Sequence, residues 1–140
     1  MGVLSFNGNK IITTGGGGAI LTDDFDLARR LKHVTTTAKV PHRWESAHDV
    51  VGFNYRLPNI NAALGCAQLE RLPDMLMRKR QLADNYARAF DGVSGIRCIR
   101  EPNGCNSNYW LNAIVLEEAD QTTRDSLLLA ANDLLSLIHI

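Results

Sequence analysis

The stretch Ser5-Phe6-Asn7-Gly8-Asn9-Lys10-Ile11-Ile12-Thr13-Thr14-Gly15-Gly16-Gly17-Gly18-Ala19-Ile20-Leu21-Thr22 sets the terms on which the rest of the chain is read. A single lysine stands between a Ser/Asn/Gly turn and an apolar Ile-Ile pair, and a run of glycines follows. An amine held where the chain enters an apolar setting loses hydration, which disfavours its charged form and leaves a free amine for Schiff-base chemistry. A bare lysine at the edge of a glycine-rich turn is more simply a solvated charge, so its neighbours must decide. Glycine runs expose backbone N–H groups that can cradle an anion. This run lacks the Gly-Lys-Ser/Thr that closes a P-loop, and no acidic residue follows at the offset of a dinucleotide-binding fingerprint. The simpler use of the glycines is close passage of backbone past the lysine or a neighbouring strand.

Outward from this stretch, the opening Met1 to Phe6 reads as a short apolar strand and Gly18 to Thr22 as another. Asp23 or Asp24 offers an N-cap, and Leu27, Ala28, Leu31 and Val34 recur at helical spacing, predicting a helix over 25–34. Periodicity is lost from Thr35 to Arg56. Trp44, Phe53 and Tyr55 in that segment seek burial, which points to packing against something, another subunit included. Pro58 or Asn59 opens a helix with Ile60, Ala63, Leu64 and Ala67 on one stripe and Gly65 permitting close approach of a neighbour. Pro73 breaks it, and a longer helix runs from about Asp74 to the Asp91-Gly92 stop. Beyond Gly95 the texture turns to strands, Ile96 to Ile99 and Tyr109 to Leu116, followed by a helix capped through Thr122-x-x-Asp125.

Fifteen basic residues balance fifteen acidic ones. That balance gives no electrostatic reason to expect nucleic acid or an anionic membrane as partner. No apolar run approaches the ~20 residues that cross a bilayer, and no signal-peptide layout opens the chain, so a cytoplasmic setting is the default expectation. Cys66, Cys98 and Cys105 form no Cys-x-x-Cys pair and read as reduced packing residues. His33, His42, His48 and Asp49 lack ligand spacing on one face, so no metal site is expected.

Two stretches, Ser5 to Gly18 and Gly52-Phe53-Asn54-Tyr55-Arg56 with the following Leu-Pro-Asn-Ile-Asn-Ala-Ala-Leu-Gly-Cys-Ala-Gln-Leu, resemble the DegT/StrS group of pyridoxal-phosphate-dependent nucleotide-sugar aminotransferases. The resemblance implies an α/β, aspartate-aminotransferase-like fold of type I. It implies that Lys10 holds pyridoxal 5'-phosphate as a Schiff base and that Ser5 binds the cofactor phosphate. It further implies that Asn54 reaches across a homodimer interface to the partner's cofactor phosphate, giving a shared active site. Arg56 is a weaker substrate-side candidate, with a structural ion pair as its plainer reading. On sequence chemistry alone Asn54 is an ordinary turn residue bonding its own backbone. Members of the group often carry a glutamate at the second glycine and a histidine three residues before the lysine; here those positions hold Gly16 and Asn7. The segment Thr35 to Glu45 resembles the branch that makes bacillosamine- or legionaminic-acid-type sugars.

On that resemblance the reaction moves an amino group from an amino acid, L-glutamate, to a keto nucleotide-sugar for cell-surface polysaccharide. The chain would be a fragment lacking the N-terminal portion. Residues 1–92 would be the C-terminal part of the cofactor-binding large domain and 93–134 the start of a small C-terminal domain; separately, Leu135-Ser136-Leu137-Ile138-His139-Ile140 resembles a translated sequencing adapter, so 135–140 would be an artefact. Taken alone such a piece would be inactive. Two other classes stay open: a phosphate- or nucleotide-binding module in which Lys10 and the glycines grip an anion without catalysis, and a non-catalytic structural piece.

Overall fold

The structure, a computed structural model, describes residues 1–135. Its contacts divide the chain into two units, Met1–Met75 and Leu76–Ile140. Residue 92, where composition sets a boundary, falls inside the second unit. The reading of 135–140 as adapter lies, from residue 136 on, outside the described residues.

In the first unit, β1 (Gly2–Ser5) and β2 (Gly18–Leu21) form an antiparallel pair with Ser5 opposite Gly18 and Gly2 opposite Leu21. The pairing explains Gly18: a Cβ there would lie 2.5 Å from the Leu4 carbonyl oxygen. Helix α1 (Phe25–Thr35) starts at Asp24, whose carboxylate accepts the Asp26 and Leu27 N–H groups, each at 3.0 Å. Such a cap satisfies orphan donors of the first turn. Lys32 and His33 in the last turn suit the negative end of the helix dipole. Helix α2 (Asn59–Glu70) follows Pro58, and α3 (Leu72–Ala89) restarts one residue later, with Pro73 in its first turn. A proline there loses no helical bond, but it cannot extend the helix before it.

In the second unit, β3 (Ile96–Cys98) pairs antiparallel with β4 (Ile114–Leu116), and α4 (Gln121–Leu135) closes the described chain. Two sequence expectations need correction here. The strand expected over Tyr109 to Leu116 is reduced to its last three residues. Tyr109 takes a positive φ of 44°, its N–H bonds the Ser107 hydroxyl at 3.1 Å, and the Trp110 N–H bonds the Asn108 side chain at 3.0 Å. Local side-chain acceptors thus compete successfully with a strand ladder. Likewise α4 is capped by Asp120, which accepts the Thr122 N–H at 2.9 Å and the Thr123 hydroxyl, rather than by the pair starting at Thr122. These bonds hold the Asp120 carboxyl below the usual aspartate range.

The second unit is tied together by Arg80 of α3. Its guanidinium bonds both Glu101 carboxylate oxygens, the Asn106 side chain at 2.7 Å and the Ser107 carbonyl at 2.7 Å, and it lies 5.4 Å from the Tyr109 ring centre. The Arg80 contact, then the Ser107 N–H, hold Glu101 below the usual glutamate range.

Buried residues are few among those described: Ala38 and Ala83 are the apolar ones and Thr14 the polar one. The accessible area is 11391 Å². A compact protein of 15.5 kDa exposes roughly 7,200 Å², and two separate compact halves together would expose about 8,700 Å². Large apolar side chains are among the exposed ones, with Val3 72%, Ile60 86% and Val51 84% exposed. The expected inward stripe of α2 is therefore overturned within this chain: Ile60, Ala63, Leu64 and Ala67 all face solvent. The cysteines are unpaired, and Cys66 and Cys105 are exposed rather than packed. No helix among the described residues is long and apolar enough to cross a membrane. No group of three His, Cys, Asp or Glu among those residues is placed to hold a metal ion.

Candidate functional site

The segment between β1 and β2 is a closed loop built on Phe6. The Phe6 N–H bonds the Gly17 carbonyl at 2.9 Å, and the Phe6 carbonyl accepts the Thr14 N–H at 3.0 Å and the Thr13 hydroxyl at 3.1 Å. Within it, Asn7 to Lys10 is a turn closed by the Lys10 N–H on the Asn7 carbonyl at 3.0 Å. Ser5 ends β1, and its hydroxyl accepts the Asn7 N–H at 3.4 Å. The loop thus brings Ser5 and Lys10 together on one short, cross-bonded piece of backbone. Lys10 is half-buried, as are Ile11, Ile12 and Thr13, and Thr14 is only 2% exposed.

Glycine is required at the loop's exit. Gly15 and Gly17 have φ of 79° and 97°, a region that L side chains rarely adopt. A Cβ on Gly17 would also meet Leu57 at 2.7 Å. Close passage of the β1 backbone accounts for Gly18, and a positive φ with the Leu57 side chain accounts for Gly17; anion cradling is not needed to explain them.

Helix α2 grips the loop from the other side. Asn61 donates from Nδ2 to the Thr14 carbonyl at 2.5 Å, and the Gln68 Oε1 accepts the Thr13 N–H at 2.9 Å. Between them Gly65 lies so close that a Cβ would sit 3.0 Å from the Thr14 methyl. Sequence reasoning read Gly65 as a point of close approach but missed Asn61 and Gln68. The signal was available: residues 61, 65 and 68 share one helical face.

Asn54 and Arg56 occupy a different piece of backbone. Asn54 pairs with Thr36 in an isolated antiparallel bridge, flanked by Phe53 N–H to Val34 carbonyl at 2.7 Å and Tyr55 N–H to Thr35 carbonyl at 2.9 Å. Thr37 and Ala38 take positive φ of 73° and 52° to reverse the chain after α1. Gly52 packs flat on that reversal, where a Cβ would overlap the Thr37 carbonyl carbon. A second bridge joins Lys39 to His48, whose ring Nδ1 donates to the Thr37 carbonyl at 2.7 Å. The Asp49 carboxylate meets His33 Nε2 at 2.7 Å, and that bond holds the Asp49 carboxyl below the usual aspartate range. Both Asn54 and Arg56 are exposed and line a cavity of about 470 Å³ whose walls include neither Ser5 nor Lys10. Ser5 and Lys10 thus lie in the loop between β1 and β2 and Asn54 and Arg56 on the later segment, while Arg56 also lines a cavity of about 1020 Å³ with Gly16, Gly17, Gly18 and Asn61.

A model of the DegT/DnrJ/EryC1/StrS aminotransferase family matches residues 1–134. The chain is 39% identical over 117 residues to the GDP-perosamine synthase of Escherichia coli O157:H7, covering 84% of this chain and 31% of that protein. It is 34% identical over 92 residues to the UDP-4-amino-4,6-dideoxy-N-acetyl-beta-L-altrosamine transaminase of Campylobacter jejuni, covering 65% of this chain and 24% of that one. The crystal structure of the aminotransferase TlmJ from Streptoalloteichus hindustanus matches with a TM-score of 0.86 at 30% identity, over 94% of this chain and 35% of that chain. The matched residues have the α/β, fold type I aminotransferase-like fold, and the chain spans about a third of the length of the first of these relatives.

Proposed function

Because this chain belongs to the DegT/DnrJ/EryC1/StrS aminotransferase family, we propose that it carries the cofactor-lysine part of a pyridoxal-phosphate-dependent enzyme. That enzyme moves an amino group from L-glutamate to the carbonyl carbon of a keto nucleotide-sugar. One observation carries the reading: Lys10 is half-buried in a loop cross-bonded to Phe6, and that loop begins at Ser5, whose hydroxyl accepts the Asn7 N–H. The names of the relatives, one a GDP-linked amino-sugar synthase and one a UDP-linked amino-sugar transaminase, support a nucleotide-sugar acceptor.

The donor set fits the cofactor. A primary amine suits its aldehyde, a hydroxyl suits its phosphate, and the glycines let backbone pass close where a Cβ would collide. Pyridoxal phosphate, when bound, supplies the electron sink for the amino-group transfer. Lys10 holds it through Nζ and, once released, moves a proton as general base and then acid. Ser5 fixes the phosphate end. Asn54 serves the cofactor phosphate of a partner subunit in a homodimer, which fits its separation from the Lys10 loop into another cavity. Arg56 is assigned to a substrate carboxylate or phosphate.

We assign residues 1–92 to the large domain and 93–134 to the start of the small one, working within a longer, cytoplasmic polypeptide of the bacillosamine- or legionaminic-acid-type branch. The apolar area left exposed by this chain supports a larger assembly. Borohydride reduction of the assembled protein supplied with pyridoxal phosphate, followed by peptide mapping, is expected to leave one pyridoxyl adduct on Lys10 and none after Lys10→Ala. A parent protein with no adduct on Lys10 rejects the reading.

A further inference from the structure

We propose that Asn61 and Gln68 are positioning residues for the Lys10 amine, acting through the backbone of Thr13 and Thr14. The inference rests on the reading of Lys10 as the cofactor-bearing lysine. Neither side chain is argued to touch cofactor or substrate. Each instead fixes one peptide group of the loop that carries the amine.

The geometry is a two-sided clamp. On one side, the Phe6 carbonyl takes the Thr14 N–H at 3.0 Å and the Thr13 hydroxyl at 3.1 Å. On the other, α2 takes the Thr13 N–H with Gln68 at 2.9 Å and gives the Asn61 amide to the Thr14 carbonyl at 2.5 Å. The contact residues are far apart in sequence, so these bonds are tertiary and not local turn chemistry. Thr14, at the centre, has the largest fully buried side chain among the described residues. Phe6 directly follows Ser5, and Thr13 is one turn of chain from Lys10. A shift of the Thr13-Thr14 peptide against Phe6 would therefore move the hydroxyl and the amine relative to one another.

The amide chemistry of both residues is dictated by the backbone they meet. A carbonyl can only accept, so position 61 must donate; an N–H can only donate, so position 68 must accept. The orientation of each amide is thereby fixed, although nitrogen and oxygen are otherwise hard to tell apart. Aspartate at 61 would set acceptor against acceptor, whereas glutamate at 68 keeps an acceptor of the same length. The exposed Ile60 and Leu64 make the same point from the adjoining face: within this chain α2 turns its polar side, not its apolar one, to the loop.

The test compares the parent chain with Asn61→Asp, Gln68→Ala and Gln68→Glu, without cofactor. Two quantities are read: hydrogen exchange of the Thr13 and Thr14 amides, and the pH profile of trace acylation of Lys10 relative to the exposed Lys39. Asn61→Asp and Gln68→Ala are expected to speed exchange at Thr13 and Thr14 about tenfold and to displace the Lys10 profile, while Gln68→Glu keeps the parental behaviour. Unchanged exchange and an unchanged Lys10 profile in Asn61→Asp and Gln68→Ala overturn the inference. Should those variants lose protection in α1 as well, the decision passes to Gln68→Glu against Gln68→Lys, whose longer ammonium side chain can only donate and so cannot take the Thr13 N–H. Retention of the Lys10 profile by Glu alone supports the clamp; the same outcome for both overturns it. Borohydride trapping in the cofactor-supplied assembly is read separately, so a missing adduct on Lys10 sinks the functional reading without touching the exchange result.

Discussion

The two loops of the first unit are held in opposite ways. The loop over 5–18 is bonded to Phe6 on one side and to α2 on the other, and it contains the most buried polar residue described, Thr14. The segment over 37–56 is held by bridges at Thr36–Asn54 and Lys39–His48, by the Val40 N–H on the Ala47 carbonyl, by the Asp49–His33 bond and by the Gly52 contact. Residues 41–51 are exposed throughout, Trp44 at 76%, and Tyr55 outside that span is 71% exposed. Aromatic side chains contribute stability only when buried. The difference teaches where each loop finds its partners: the lysine loop finds them in its own chain, whereas the asparagine loop presents its apolar surface outward. That division fits the proposed active site shared between two copies.

The contrast breaks most visibly at Gly52. Gly52→Ala forces a methyl into the Thr37 carbonyl carbon, where neither backbone can yield without opening the reversal after α1. A cost of roughly 3 kcal/mol is expected, at the upper end for overpacking. Denaturant unfolding gives the loss, and hydrogen exchange should localise it to 34–54 while Thr13 and Thr14 keep their protection. Collapse of both loops together would mean that they form one cooperative unit and that the contrast is false.

A smaller effect follows from pH. The lysine loop contains no carboxylate, whereas the asparagine loop carries Asp49, held by its His33 bond below the usual aspartate range. A carboxyl whose folded pKa is depressed stabilises the fold above its unfolded value and loses that contribution as pH falls through the folded one. Acidification below about pH 4 is therefore expected to loosen the base of the asparagine loop first. Exchange at Phe53 and Tyr55 should rise ahead of exchange at Thr13, and Asp49→Asn should abolish the lead. Equal acid response in both loops would remove the Asp49–His33 bond from the account.

Much of this was legible from residue types that act locally. The pair Asp23-Asp24 announced a helix start, and Asp24 takes the role because its short carboxylate reaches N–H groups two and three residues on. Pro58 and Pro73 marked the bounds of α2 and the start of α3 because proline lacks an N–H. That Ser5 and Lys10 fall in one loop was readable because they stand five positions apart in turn-rich sequence. What was not legible depended on distant partners. Tyr109 to Ala113 has strand-like composition, yet Ser107, Asn108 and the Glu101 N–H on the Tyr109 hydroxyl, at 3.2 Å, draw it into an irregular turn. The apolar stripe of α2 pointed reasoning toward Ile60 and Leu64 as the contact face. Within this chain the contact is polar, because the loop it meets offers backbone groups that need partners.

The division of labour between the two loops is tested most directly by mixing subunits. Lys10→Ala and Asn54→Ala versions of the assembled protein are each expected to hold pyridoxal phosphate poorly and to turn over little. Dissociated together and reassembled in equal amounts, they should recover about a quarter of the parental sites, since half the dimers are mixed and each mixed dimer has one intact site. No recovery, in a mixture shown to contain mixed dimers, would contradict a site built from Lys10 of one subunit and Asn54 of the other.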